Sequence, residues 1–71
     1  MHGNVKIKAS AKQAKKVINI VGFIESQMEQ LIDKLDEIDM TDDSEEVIAM
    51  LDKYSVFSER VTKQLTRFVN E

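Results

Sequence analysis

Residues 12–34, KQAKKVINIVGFIESQMEQLIDK, carry the pattern that decides the fold. Ala14, Val17, Val21, Ile24, Met28 and Leu31 recur at alternating intervals of three and four, and Leu35 and Ile38 continue the series. An unbroken series of this kind is the seam of an amphipathic helix packed on other helices. Ala14, Val21, Met28 and Leu35 take heptad position a, and Val17, Ile24, Leu31 and Ile38 take position d. Ile18 and Ile32 widen the seam at e, and Ile20 widens it on the other side. A second stripe runs beside it: Lys12, Asn19, Phe23, Gln27 and Lys34. On a helical wheel these five fall within about 80° of one another, centred about 120° from the seam. A large aromatic side chain therefore stands on the polar side, among amides and lysines.

Outward from this stretch, the spacing predicts a first helix over about residues 10–39, with Ser10 as N-cap. The segment VINIVGFI could form a strand, but the heptad passes through it without a break. Gly22 lies outside both stripes and should cost roughly 1 kcal/mol of helix propensity relative to alanine. Residues 1–9 contain no acid and alternate weakly; they are expected to be a mobile arm or an extra helical turn. Toward the C-terminus, MTDDSEE at residues 40–46 has the chemistry of a turn into a second helix. Thr41, Asp42 or Asp43 could cap that helix, with Glu45 or Glu46 reaching back. The acidic run lacks the glycine and ligand spacing of a calcium loop. The second helix is expected over about residues 43–69, along the seam Val47, Leu51, Tyr54, Ser58, Val61, Leu65 and Phe68. Ser58 is a small residue in that seam and would let helices approach closely.

Two helices of nearly equal length joined by a short turn make an antiparallel hairpin, so the expected fold class is all-α. A lone hairpin leaves half of each seam in water. Two hairpins close into a four-helix bundle that buries all four seams, which predicts a homodimer.

Composition narrows the function. A chain of 71 residues holds one small domain, and such domains commonly rely on disulfides, metals or oligomerisation. The sequence contains no cysteine, which removes disulfides and thiolate metal sites, and its single histidine, His2, is given no role. No apolar run approaches the ~20 residues of a membrane span, so a soluble cytoplasmic protein is expected. Net charge is −3, but its distribution is uneven. Residues 1–21 hold five lysines and no acid, residues 33–52 hold nine acids against Lys34, and residues 53–71 carry a net +2.

Over residues 17–39 the chain resembles the first helix of the Rop (Rom) proteins of ColE1-type plasmids. The resemblance rests on Phe-Ile-x-Ser-Gln at Phe23–Gln27, on acid-Lys-Leu-x-Glu-apolar-Asp at Asp33–Asp39, and on Asn19 in the same register. Leu-x-Arg-Phe at Leu65–Phe68 is similar to the end of the family's second helix. Rop itself is a standard example of the four-helix bundle, so the resemblance implies an antiparallel dimer of hairpins. It further implies binding to the kissing complex of antisense RNA I with primer precursor RNA II, which lowers plasmid copy number. The family's RNA-contacting positions fall on Lys12, Asn19, Phe23, Gln27 and Lys34, the stripe already separated by angle. Lys15 and Lys16 would add supporting charge.

The residue types suit RNA. Lysines supply the phosphate attraction that dominates nucleic-acid affinity. Asn19 and Gln27 can donate to phosphates or 2′-hydroxyls, and Phe23 offers a face for stacking. Blander explanations stand beside each element. Phe23 could cover the rim of a wide core, and the lysines could be an ordinary solvated face. Tyr54 is a heptad d residue, which points to the core rather than to catalysis. Asp33, Asp36, Glu37 and Asp39 suit a solvated helix end better than paired acid–base chemistry. No nucleophile–base pair, phosphate loop or ligand set is present, so no enzyme, cofactor or metal is expected. The competing functions are a protein-interaction module gripping a partner through Val17–Ile24, and an engineered bundle that keeps the stripe without an RNA function.

Overall fold

A computed structural model describes residues 7–69, and all regular structure in them is helical. Helix α1 spans Ala11–Glu37 and α2 spans Thr41–Val69, packed against each other as a hairpin. Of the arm expected over residues 1–9, residues 1–6 lie outside the described residues. Residues 7–10 precede α1 without regular structure.

Local chemistry explains where α1 starts and stops. The Gln13 backbone N–H donates to the Ser10 hydroxyl at 3.1 Å, and the Ser10 N–H donates to Gln13 Oε1 at 3.0 Å. This reciprocal capping box satisfies two of the N–H groups that a helix start leaves without partners. At the other end the Met40 N–H donates to the Leu35 carbonyl (2.9 Å) and the Asp39 N–H to the Asp36 carbonyl (3.1 Å). That pair of bonds is a Schellman motif, and it requires a left-handed residue after the cap. Asp39 supplies it, with φ 63°.

Helix α2 begins at Thr41, two residues ahead of the expected start. Met40 provides the carbonyl that accepts the first helical bond, from the Ser44 N–H at 2.9 Å. Thr41, Asp42 and Asp43 therefore occupy the first turn instead of capping it. Asp42 and Asp43 still place negative charge where the helix dipole favours it. Ser44, only 2% exposed, ties the turn together. Its hydroxyl donates to Asp36 Oδ1 at 2.6 Å and lies 2.9 Å from the Thr41 carbonyl.

The molecule measures 46 × 26 × 12 Å, and 12 Å is the thickness of a single helix with its side chains. That thickness splits the heptad. On α1, Ala14 and Val21 at position a are buried, and Met28 and Leu35 are half-buried. Every d residue is exposed: Val17 42%, Ile24 41%, Leu31 47% and Ile38 64%. On α2, Val47, Ser58 and Leu65 are buried, while Met50 and Phe57 are exposed. On α1 the a and e positions meet α2, and the d positions look out over one broad side, which Met50 and Phe57 of α2 share.

Three polar contacts cross the middle of the hairpin and fix its register. The Tyr54 hydroxyl donates to the Val21 carbonyl at 3.1 Å. The Ser55 hydroxyl donates to Glu25 Oε2 at 2.9 Å, and the Ser58 hydroxyl reaches Glu25 Oε1 at 3.4 Å. Ser58 thus does more than leave room, because its small side chain also brings a hydroxyl to a charge. Half-buried Tyr54 sits at the interface as its heptad position predicts, with its phenol partnered.

A methyl group built on Gly22 would meet nothing within 4 Å, so the glycine answers no packing demand. Gly22→Ala should raise stability by about 0.5–1 kcal/mol, read as a higher urea midpoint at one protein concentration. Asp39→Gly should also stabilise, by up to about 1 kcal/mol, whereas Asp39→Ala should destabilise because alanine resists a positive φ. A lower midpoint for Asp39→Gly would contradict the turn geometry.

Candidate nucleic-acid interface

The hairpin geometry determines where the second stripe points. Residues that face α2 from α1 are Ala14, Val21 and Glu25, and their opposite on the wheel is the line of Lys12, Asn19, Phe23, Gln27 and Lys34. All five are exposed, as are Lys15 and Lys16. The stripe is therefore the outer edge of the slab. From Lys12 to Lys34 it runs about 33 Å at the helical rise. Lys16 falls on the same line, and Lys15 is turned toward the polar side of the hairpin.

Phe23 lies midway along this edge and is 63% exposed. It is not part of the hairpin core, and as an apolar ring in water it carries an unfavourable hydration cost that a stacked partner would remove. Asn19 and Gln27 stand one turn to either side of it, so an aromatic face is bracketed by two amides. Lys34 pairs with Glu37 across one turn at 3.6 Å, with both side chains well exposed at 72% and 63%. A pair this open contributes little and leaves the ammonium available to a phosphate. The edge carries positive charge near both ends, an aromatic in the middle and hydrogen-bonding amides between.

Glu25, two residues from Phe23, would oppose RNA if it shared this edge. The structure turns it the other way. It points into the hairpin, where Ser55 and Ser58 hold its carboxylate. Its position is the heptad e between Ile18 and Ile32, seven residues from each, and that spacing is the signal that could have placed it. The Phe23 edge is thus free of acids between Lys12 and Lys34 except at its flanks, where Glu29 and Asp33 lean toward the polar side.

Beside the edge, on the broad side of the hairpin, lie Val17, Ile20, Ile24 and Leu31, all exposed. Among the described residues no helix is long and apolar enough to cross a membrane. Comparison with protein-family models, curated proteins and solved structures finds no match.

Phe23→Ala should leave far-UV helicity unchanged and cost well under the ~3–5 kcal/mol of a buried phenylalanine, by urea denaturation. A loss of that full size would place Phe23 in a core. Glu25→Ala should cost about 1–3 kcal/mol, because it strands the buried Ser58 hydroxyl without its partner.

Proposed function

We propose that the chain is an RNA-binding homodimer that stabilises a loop–loop complex between two RNAs. The prototype of such a substrate is the kissing pair of antisense RNA I and primer precursor RNA II, whose stabilisation lowers plasmid copy number. The observation that carries this proposal is Phe23, exposed at the centre of an acid-poor edge between Asn19 and Gln27, with Lys12 and Lys34 toward its ends.

Dimerisation enters through surface area. The accessible surface of 5668 Å² exceeds the ~4,500 Å² of a compact protein of this size. The excess is of the order that one partner commits to a standard interface, ~800 Å². The apolar side formed by Val17, Ile24, Leu31, Met50 and Phe57 is where a second hairpin would seat. Charge favours opposed orientation. The turn end is rich in acids from Asp33 to Asp52, and the other end carries Lys8, Lys12, Lys15 and Lys16. Antiparallel hairpins set each acidic end beside a basic one.

In such a pair the α1 edges of both copies can lie side by side. Phe23 then stands near the two-fold axis as one of a pair of rings, and each end of the surface gains lysine from both chains. Lysines hold phosphates on the two arms of the RNA complex, the amides reach phosphates or 2′-hydroxyls, and the rings meet the bent junction. Recognition of this kind reads shape, since nothing on the edge matches a base-edge code. The exposed Val17, Ile20 and Ile24 also favour a second possibility, a module that grips a partner protein through the same apolar side.

A gel-shift series separates the two. Kissing RNA hairpins should be retained in preference to the isolated hairpins and to a plain duplex, and Phe23→Ala should abolish the preference. Absence of RNA binding at moderate salt would defeat the proposal and leave the protein-interaction module standing. Lys12→Ala and Lys34→Ala should each lower the slope of log affinity against log salt by roughly 0.7–0.9 for every phosphate left without its lysine.

A further inference from the structure

The opposite edge of the hairpin carries a second cationic array that the α1 interface does not use. Lys53, Arg60, Lys63 and Arg67 recur on α2 at intervals of seven, three and four residues. They fall within about 80° of one another on the wheel. All four are exposed, and the array extends about 21 Å along the helix. Ala14 and Val21 receive α2 on its other side, through Ser58 and Leu65, so this array points away from α1. It also lies off the broad apolar side, and a second hairpin seated there would leave it open.

The cations of the array are uncommitted to ion pairs, and its arginines are ordered by neighbouring rings. In a chain with 13 acids and net charge −3, none of its cations has a carboxylate within 4 Å among the described residues, where the one ion pair is Lys34–Glu37. The nearby acids, Asp52 and Glu59, lie toward the polar side of the hairpin. Both arginines are also held in place by aromatic rings. The Arg60 guanidinium carbon is 5.5 Å from the Phe57 ring centroid, and that of Arg67 is 5.2 Å from the Phe68 centroid. Stacking of this kind orders a guanidinium while leaving its N–H groups free to donate outward.

We propose that this α2 edge is a second phosphate-binding surface, taking the sugar–phosphate backbone of an RNA helix without reading its bases. The cations step along α2 by about 4.5–10.5 Å, a range that brackets the spacing of successive phosphates on a strand. The guanidinium forks of Arg60 and Arg67 suit phosphate oxygens, and Lys53 and Lys63 add point charge on either side of Arg60. Arg60, Lys63 and Arg67 lie at the same end of the hairpin as Lys12 and Lys16. An RNA arm leaving the α1 edge, or a second RNA molecule, would find positive charge on the far side too.

The test is a salt titration of binding to a short blunt RNA duplex and to a kissing hairpin pair. It compares the wild-type chain, the triple variant Arg60→Gln/Lys63→Gln/Arg67→Gln, and the double variant Lys12→Gln/Lys34→Gln. The triple variant should lower the log–log salt slope on the plain duplex by roughly 2–3, while the ratio of kissing-pair to duplex affinity stays as in wild type. Arg60→Lys/Arg67→Lys should keep most of the slope. A wild-type chain that shows no salt-dependent duplex binding, or an unchanged slope in the triple variant, overturns the proposal. So does a triple variant whose sedimentation shows a changed oligomeric state at unchanged duplex affinity, which would assign the edge to contacts with the acidic end of another copy. Should the triple variant lose helicity, Lys53→Gln/Lys63→Gln touches neither aromatic stack and should still lower the slope by roughly 1.4–1.8. Loss of the kissing-pair preference in the α1 variant alone bears on the α1 interface and leaves this edge intact.

Discussion

Two helices side by side have no inside. The hairpin is one helix thick, so each helix can offer its partner only one flank of its apolar stripe. The a and e residues of α1 are taken up by α2, and the d residues Val17, Ile24, Leu31 and Ile38 remain in water. Burial of an aliphatic side chain is worth about 1.5–3 kcal/mol, so a row of exposed d residues is a strong drive toward covering that side. The proposed dimer, and the doubled α1 edge that would bind RNA, both depend on this one geometric fact.

Within the hairpin, polar contacts decide register more than apolar ones do. Ala14, Val21, Val47 and Leu65 are the buried apolar residues among those described, a core too small to forbid sliding by one turn. The Glu25 carboxylate, gripped by Ser55 and Ser58, and the Tyr54 hydroxyl on the Val21 carbonyl make a slipped register expensive. At the turn, Ser44 joined to Asp36 has the same effect. Register in turn orients the outer edges. With Glu25 committed to the hairpin, Phe23 and its amides point outward with no acid among them.

Much of this is legible in the sequence because helical periodicity is a strong signal over long segments. The alternating spacing from Ala14 to Ile38 marks the helix and its face, and Ser10 marks its start. The separation of Lys12, Asn19, Phe23, Gln27 and Lys34 from the seam needs only the angle per residue. The division of the seam between a and d is not legible, since it depends on how many helices surround each one. The inward turn of Glu25 is hidden because an ionised residue ordinarily goes to solvent, and its partners lie about thirty residues away on α2. The start of α2 precedes its expected place because Asp39 fills the left-handed turn position, where glycine is the usual sign.

The account stands or falls on whether two copies bring their α1 helices together. Ser26 is exposed, two residues from the middle of α1, and the chain has no native cysteine, so a spin label at Ser26→Cys reports on this directly. Neighbouring antiparallel α1 helices, with axes about 8–10 Å apart, should give a single short label-to-label distance of about 20 Å. No dipolar coupling at all, or only a distance beyond roughly 30 Å with the α1 copies across a diagonal, would contradict the shared RNA-binding edge.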